Sequence, residues 1–176
     1  MSSTITGHRA TLSVYLVGTH EIQPVRLGRE IFLTMPSARL RFQHPHALLA
    51  AYRAWLDAER LAAATFDAAL VAQRAPGMDD IQFSGHLTFA GPVPGVHVDA
   101  RPAEASPTGA GQIRLQLGAL TLTVGDLDAF RTQMNAWTFA YRLGHTLWPE
   151  ELPALEQVRA EALLADVTPA ALATAA

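Results

Sequence analysis

Residues 112–142 read QIRLQLGALTLTVGDLDAFRTQMNAWTFAYR. Two runs that alternate apolar and polar side chains, Gln112–Leu117 and Leu120–Val124, flank Gly118 and Ala119. Period two places every second side chain on one face of a strand, so the pair reads as a β-hairpin with one buried face. From Leu127 to Leu143 the apolar spacing changes to three and four, the signature of an amphipathic helix. Asp126 stands where a helix cap belongs, and Asp128 in the first turn is favoured by the helix dipole.

The pattern occurs earlier too, from Glu30 to Arg60. Ile31 and Leu33 match Ile113 and Leu115 at an offset of 113 − 31 = 82. Leu48, Tyr52, Trp55, Arg60 and Leu61 match Phe130, Met134, Trp137, Arg142 and Leu143 at the same offset. Leu40 and Phe42 match Leu120 and Leu122 at 120 − 40 = 80, which gives the first copy a turn two residues longer and the second a strand-to-helix joint two residues longer. Duplicated units tolerate such slips because loop length costs little free energy.

Two further strands precede each hairpin. Thr11 to Val17 and Glu21 to Leu27 serve the first, with Pro24 marking an edge or a bulge. Ile81 to Phe89 and Val96 to Ala100 serve the second. His44-Pro45-His46 opens the first long helix, which is expected to run to about Gln73 and to stop at Ala75-Pro76-Gly77. Gly144 is expected to end the second helix, and Arg101 to Gly111, rich in Pro, Ala, Ser and Gly, to form a mobile loop.

The fold class expected is α+β: two pseudo-repeated antiparallel four-stranded β-meanders, each followed by an amphipathic helix that covers its apolar face, plus a C-terminal helix. In domain terms this is one unit over 1–176, with repeats at about 11–74 and 81–143, a C-terminal helix at 149–166 and a frayed tail at 167–176. Leu152, Leu155, Val158, Leu163 and Leu164 supply that last helix with its apolar face.

Composition narrows the functional classes. Cysteine is absent, which excludes disulfides and thiolate-bound zinc. The 13 basic residues are all arginine, and the formal net charge of −3 gives no overall attraction to nucleic acid or acidic lipid. Any such binding needs a local patch. No signal-like apolar segment opens the chain and no run is long enough to span a bilayer, so a cytoplasmic protein without membrane partners is expected.

Motifs for chemistry are missing. The chain has no GxSxG, Walker loop, GxGxxG after a strand, or HExxH. It therefore reads as a non-enzyme without a cofactor. Histidine supplies only weak metal candidates: His44 and His46 around Pro45, and a cluster of His86, His97 and Asp99 if Phe89 pairs with Val96. Trp55, Trp137 and Tyr141 sit within apolar helical stripes and read as core.

Strand alternation identifies a more promising surface. If each helix covers the apolar face of its own meander, Tyr15, Phe32, Arg39 and Arg41 lie on the outer face of the first unit. Gln112, Arg114, Gln116, Thr121, Thr123, His86, Thr88 and His97 lie on that of the second. Aromatic rings beside arginines suit base stacking and phosphate pairing.

The segments ARLRFQHPHALLAAYRAWL and ALTLTVGDLDAFRTQMNAW, from Ala38 and Ala119 onward, resemble the last strand and helix of the Whirly and Pur-alpha families of single-stranded-DNA-binding proteins. The resemblance is one of topology, strand–strand–strand–strand–helix twice, over roughly residues 11–143. The lysine-rich strand signature of the Whirly family has no counterpart in a chain without lysine. The likeness implies single-stranded nucleic acid bound on the sheets and multimers formed through the helices, and a homo-oligomer through helix or sheet faces is the partner expected. Tyr15 and Phe32 would stack bases, Arg39 and Arg41 would contact phosphates, and Arg114 would assist. The competing expectation is a protein-interaction or self-assembly module, and a third is a metal-dependent enzyme using His86, His97 and Asp99.

Overall fold

The computed structural model describes residues 11–66, 85–103 and 110–173, with side chains described to residue 165. Strands β1 (Leu12–Leu16), β2 (Gln23–Leu27), β3 (Glu30–Met35) and β4 (Ala38–Phe42) lead into helix α1 (Pro45–Thr65). Strands β5 (Gly85–Phe89), β6 (Val96–Arg101), β7 (Gln112–Leu117) and β8 (Leu120–Val124) lead into α2 (Leu127–Leu147), and α3 (Leu155–Ala173) follows. The class is α+β, with two four-stranded sheets and three helices among the described residues.

The sheets are not simple meanders. One has the order β1-β8-β7-β6 and the other β2-β3-β4-β5. Each is a three-stranded antiparallel meander from one half of the chain, extended by a parallel strand from the other half. β1 runs parallel to β8 with Leu12 opposite Leu120, and β5 runs parallel to β4 with Gly85 opposite Ala38. Alternation along a strand specifies which face is buried but not which neighbour it pairs with, so the exchange leaves no trace in the hydrophobic pattern.

The helices cross over as well. The expectation that each helix covers the meander before it is corrected: α1 lies chiefly on β6 and β7, and α2 on β2 and β3, while the two helices pack against each other. An apolar stripe requires a cover but does not name it.

The internal repeat is more regular than the sequence match. Met35 pairs with Ala38 and Leu117 with Leu120, so both hairpin turns hold two residues. Leu40 therefore corresponds to Leu122 at an offset of 122 − 40 = 82, and the slip to 80 is withdrawn. The same 82 relates β3 to β7, β4 to β8 and α1 to α2. β2 and β6 differ by 101 − 27 = 74, because the β6–β7 connection is the longer one. Gly118 has φ +60°, the positive value that the primed hairpin turns take at their first position.

The caps explain where the helices begin. The Asp126 carboxylate accepts from Ala129 N at 2.7 Å and from Gly18 N at 2.7 Å, tying the start of α2 to the end of β1. His44 caps α1, its ring accepting from His46 N at 3.2 Å, and Pro45 fills the first helical position. Asp126→Ala is expected to cost about 1–2 kcal/mol through the cap alone, read as a lower urea midpoint, with Asp126→Asn losing less. An unchanged midpoint would remove this cap from the account.

The helix ends differ from expectation. α1 stops at Phe66, whose backbone is extended, and not at Gln73, and the expected stop at 75–77 lies outside the described residues. Gly144 does not end α2, which continues to Leu147. Its hydrogen side chain instead lets the helices touch: a Cβ there would strike Leu48. α3 starts six residues later than 149 and runs to Ala173, past the expected end at 166. Leu152, Leu155 and Val158 are buried, whereas Leu163 and Leu164 are exposed.

Aromatic rings fill the helix–helix seam. Trp55 stacks on Trp137 at 6.0 Å and Tyr52 on Tyr141 at 4.6 Å, all fully buried. The Tyr141 hydroxyl donates to Pro153 O at 2.8 Å, and burial pushes its pKa up to about 12. Phe42 on β4 stacks on Phe89 of β5 at 4.7 Å, joining strands from opposite halves. No helix among the described residues is long and apolar enough to cross a membrane.

Candidate nucleic-acid interface

The inner sheet faces carry the core, including Ile31, Leu33, Leu40, Ile113, Leu115 and Leu122, each at 0% exposure. The opposite faces are therefore available, and the registers place their residues in rows. On the β2–β5 sheet one row runs Val25, Phe32, Arg41, Thr88, and the next runs Gln23, Thr34, Arg39, His86. On the β1–β6 sheet the rows are Tyr15, Thr123, Arg114, Asp99 and Ser13, Thr121, Gln116, His97.

Phe32, Arg39 and Arg41 are brought together as expected. The Arg39 guanidinium lies 4.8 Å from the Phe32 ring centroid and that of Arg41 lies 5.8 Å away. Arg39 is exposed, while Phe32 and Arg41 are half-buried. Cross-strand alternation on β3 and β4 creates the cluster, since Phe32 faces Arg41 directly and Arg39 diagonally.

Tyr15 does not join them. Strand exchange carries it to the other sheet, beside Thr123 and two strands from Arg114. There Gln112 Nε2 donates to its hydroxyl at 3.4 Å, and its ring packs over Gly125, where a Cβ would lie 2.5 Å from the hydroxyl oxygen. In return His86 and Thr88 arrive beside Arg39 and Arg41. The candidate surface is thus divided, with Phe32 beside Arg39 and Arg41 on one sheet and Tyr15 two strands from Arg114 on the other.

The same exchange dismantles the histidine cluster. Phe89 pairs with Phe42 and not with Val96, so His86 lies on one sheet and His97 and Asp99 on the other. His97 Nε2 remains 3.7 Å from Asp99, whose carboxylate is also 4.0 Å from Arg114 Nε. Among the described residues no group of three His, Cys, Asp or Glu side chains could hold a metal ion.

No family model, curated protein or solved structure matches this chain.

Glu30, which the sequence reading passed over, faces outward with Phe32 and is bonded by Arg41 Nε at 2.8 Å and by Gln43 Nε2 at 2.8 Å. The hydrogen bond from Arg41 holds the Glu30 carboxyl below its ordinary value, and Glu30 in turn raises Arg41. Alternation from the buried Ile31 would have revealed Glu30, since residues 30 and 32 share a face. Arg39 has no carboxylate within ion-pairing distance among the described residues, so its charge is the less compensated of the two.

The outer sheet faces carry a net positive formal charge within an acidic chain. The outer faces hold Arg39, Arg41, Arg101 and Arg114 against Glu30 and Asp99, a balance of +2. The rest of the chain is left with −3 − 2 = −5. An overall acidic protein thus keeps weakly basic, aromatic-bearing sheet faces, the kind of local patch that binding to nucleic acid would need.

Proposed function

We propose that the chain is a non-enzymatic accessory protein that binds single-stranded nucleic acid across the outer faces of its two sheets. The observation that carries this is the Phe32–Arg39–Arg41 cluster, an aromatic ring beneath two guanidinium groups on a sheet face away from the helices. A base can stack on such a ring while arginine meets the adjoining phosphate, a combination that is tolerant of sequence. Tyr15 and Arg114 offer a second, weaker platform on the neighbouring sheet. Threonine and glutamine between them supply neutral hydrogen-bonding groups.

Fluorescence anisotropy with a labelled single-stranded oligonucleotide tests the reading, and Glu30→Gln sharpens it. That substitution removes the carboxylate that competes with phosphate for Arg41, so binding is expected to tighten a few-fold. Acid should act in the same direction. The Arg41–Glu30 pair persists through neutral pH, because the Glu30 carboxyl is held low, and is lost only as pH falls through that lowered value. Binding that is unaffected or weakened by Glu30→Gln would count against Arg41 as a phosphate contact.

A further inference from the structure

Among the described residues each four-stranded sheet has two edge strands, β1 and β6 in one and β2 and β5 in the other, and of these β2 and β6 occupy equivalent places in the repeat. They differ in one residue that matters. In a two-residue hairpin the residues flanking the turn form a hydrogen-bonded pair, as Leu27 and Glu30 do around Gly28 and Arg29. Counting along β2, Val25 and Gln23 also bond towards β3, and Pro24 and Arg26 face the free edge. Pro24 has no N–H to offer there, so this edge is blunted against strand addition.

The same counting from the Leu117–Leu120 turn directs Gln116, Arg114 and Gln112 towards β6. Their partners His97, Asp99 and Arg101 bond inward, which leaves Val96, Val98 and Ala100 to present N–H and C=O outward. Val98 pairs with Leu115 just as Pro24 pairs with Leu33, and 115 − 33 = 82 marks these as equivalent positions. Where β2 carries a proline, β6 carries a full set of donors and acceptors.

We infer that β6 pairs with β6 of a second copy of this chain, antiparallel about a twofold axis at Val98. Side-chain complementarity supports this occupant. With Val98 opposite the partner's Val98, His97 falls opposite the partner's Asp99, and the twofold repeats the contact. Val96 falls opposite the partner's Ala100, an apolar pair on the other face. Because the twofold sets the same edge of each copy against itself, the contact is isologous and closes as a dimer rather than growing into a fibre. The pairing fuses two four-stranded sheets into one of eight and aligns their outer faces. It does not depend on the nucleic-acid reading.

Light scattering coupled to gel filtration, on the full chain at high micromolar concentration, tests it. Wild type is expected at twice the 18.9 kDa chain mass. Val98→Pro places in β6 the residue that β2 already accommodates, and is expected to halve that mass with an unchanged circular dichroism spectrum. His97→Asp sets two acidic pairs across the axis and should weaken the dimer by about tenfold or more. The double swap His97→Asp with Asp99→His restores a histidine opposite an aspartate on both sides of the axis and should restore the dimer. A monomeric wild type overturns the inference, as does a dimer indifferent to both Val98→Pro and His97→Asp. If Val98→Pro does not fold, the charge swap alone decides: rescue supports the pairing and failure of rescue overturns it.

Discussion

Arg39→Ala combined with Arg41→Ala is expected to abolish most binding of a single-stranded oligonucleotide. Two lost phosphate contacts should flatten the dependence of log K on log salt by about 1.4, at about 0.7 per contact for single strands. Affinity at low salt should fall by roughly ten- to a hundredfold. The two arginines should not contribute equally. Arg41 already spends two donors on Glu30, whereas Arg39 stands over Phe32 without a carboxylate partner among the described residues. Arg39→Ala alone should therefore cost more than Arg41→Ala alone. Salt titrations of wild type and the three variants, followed by anisotropy, would show this order. Equal slopes in wild type and the double variant would place phosphate contacts elsewhere.

The largest effect on stability is expected at Gly111, just before β7. A Cβ at this position would fall on the backbone carbonyl of Thr65, the last residue of α1. A backbone oxygen cannot swing aside as a side chain can, so the helix end or the strand must move. Gly111→Ala is expected to destabilise by about 3 kcal/mol or more, at the upper end of overpacking costs. Gly144→Ala meets the Leu48 side chain, which has rotamers to use, and should cost less, about 1–3 kcal/mol. Urea unfolding of both variants reads this order directly. A Gly111→Ala protein as stable as wild type would mean that α1 and β7 are not in this contact.

How much of this architecture could be read from the chain varies with the kind of information that each feature needs. The β7–β8 hairpin, the start of α2 and its Asp126 cap rest on local rules of alternation, helical period and capping, and all appear where the residues place them. The burial of Trp55, Trp137 and Tyr141 follows from the same stripes. The exchange of β1 and β5 does not, because Leu12, Val14 and Leu16 would satisfy β8 or β2 equally well by pattern. Everything that depended on pairing went astray with it: Tyr15 parted from Phe32, and His86 parted from His97 and Asp99. The Phe32–Arg39–Arg41 cluster survived because it needs only the β3–β4 hairpin, whose register the turn determines. Glu30 was visible one residue before Ile31, yet its effect on Arg41 required coordinates.

The surface assigned to nucleic acid is most directly examined by following backbone amide resonances while an unlabelled single-stranded oligonucleotide is added at low salt. The account predicts shifts concentrated on β3 and β4 around Phe32, Arg39 and Arg41, with smaller ones near Tyr15 and Arg114, and all reversed by salt. Shifts confined to α1, α2 or α3, or none at saturating oligonucleotide, would contradict it.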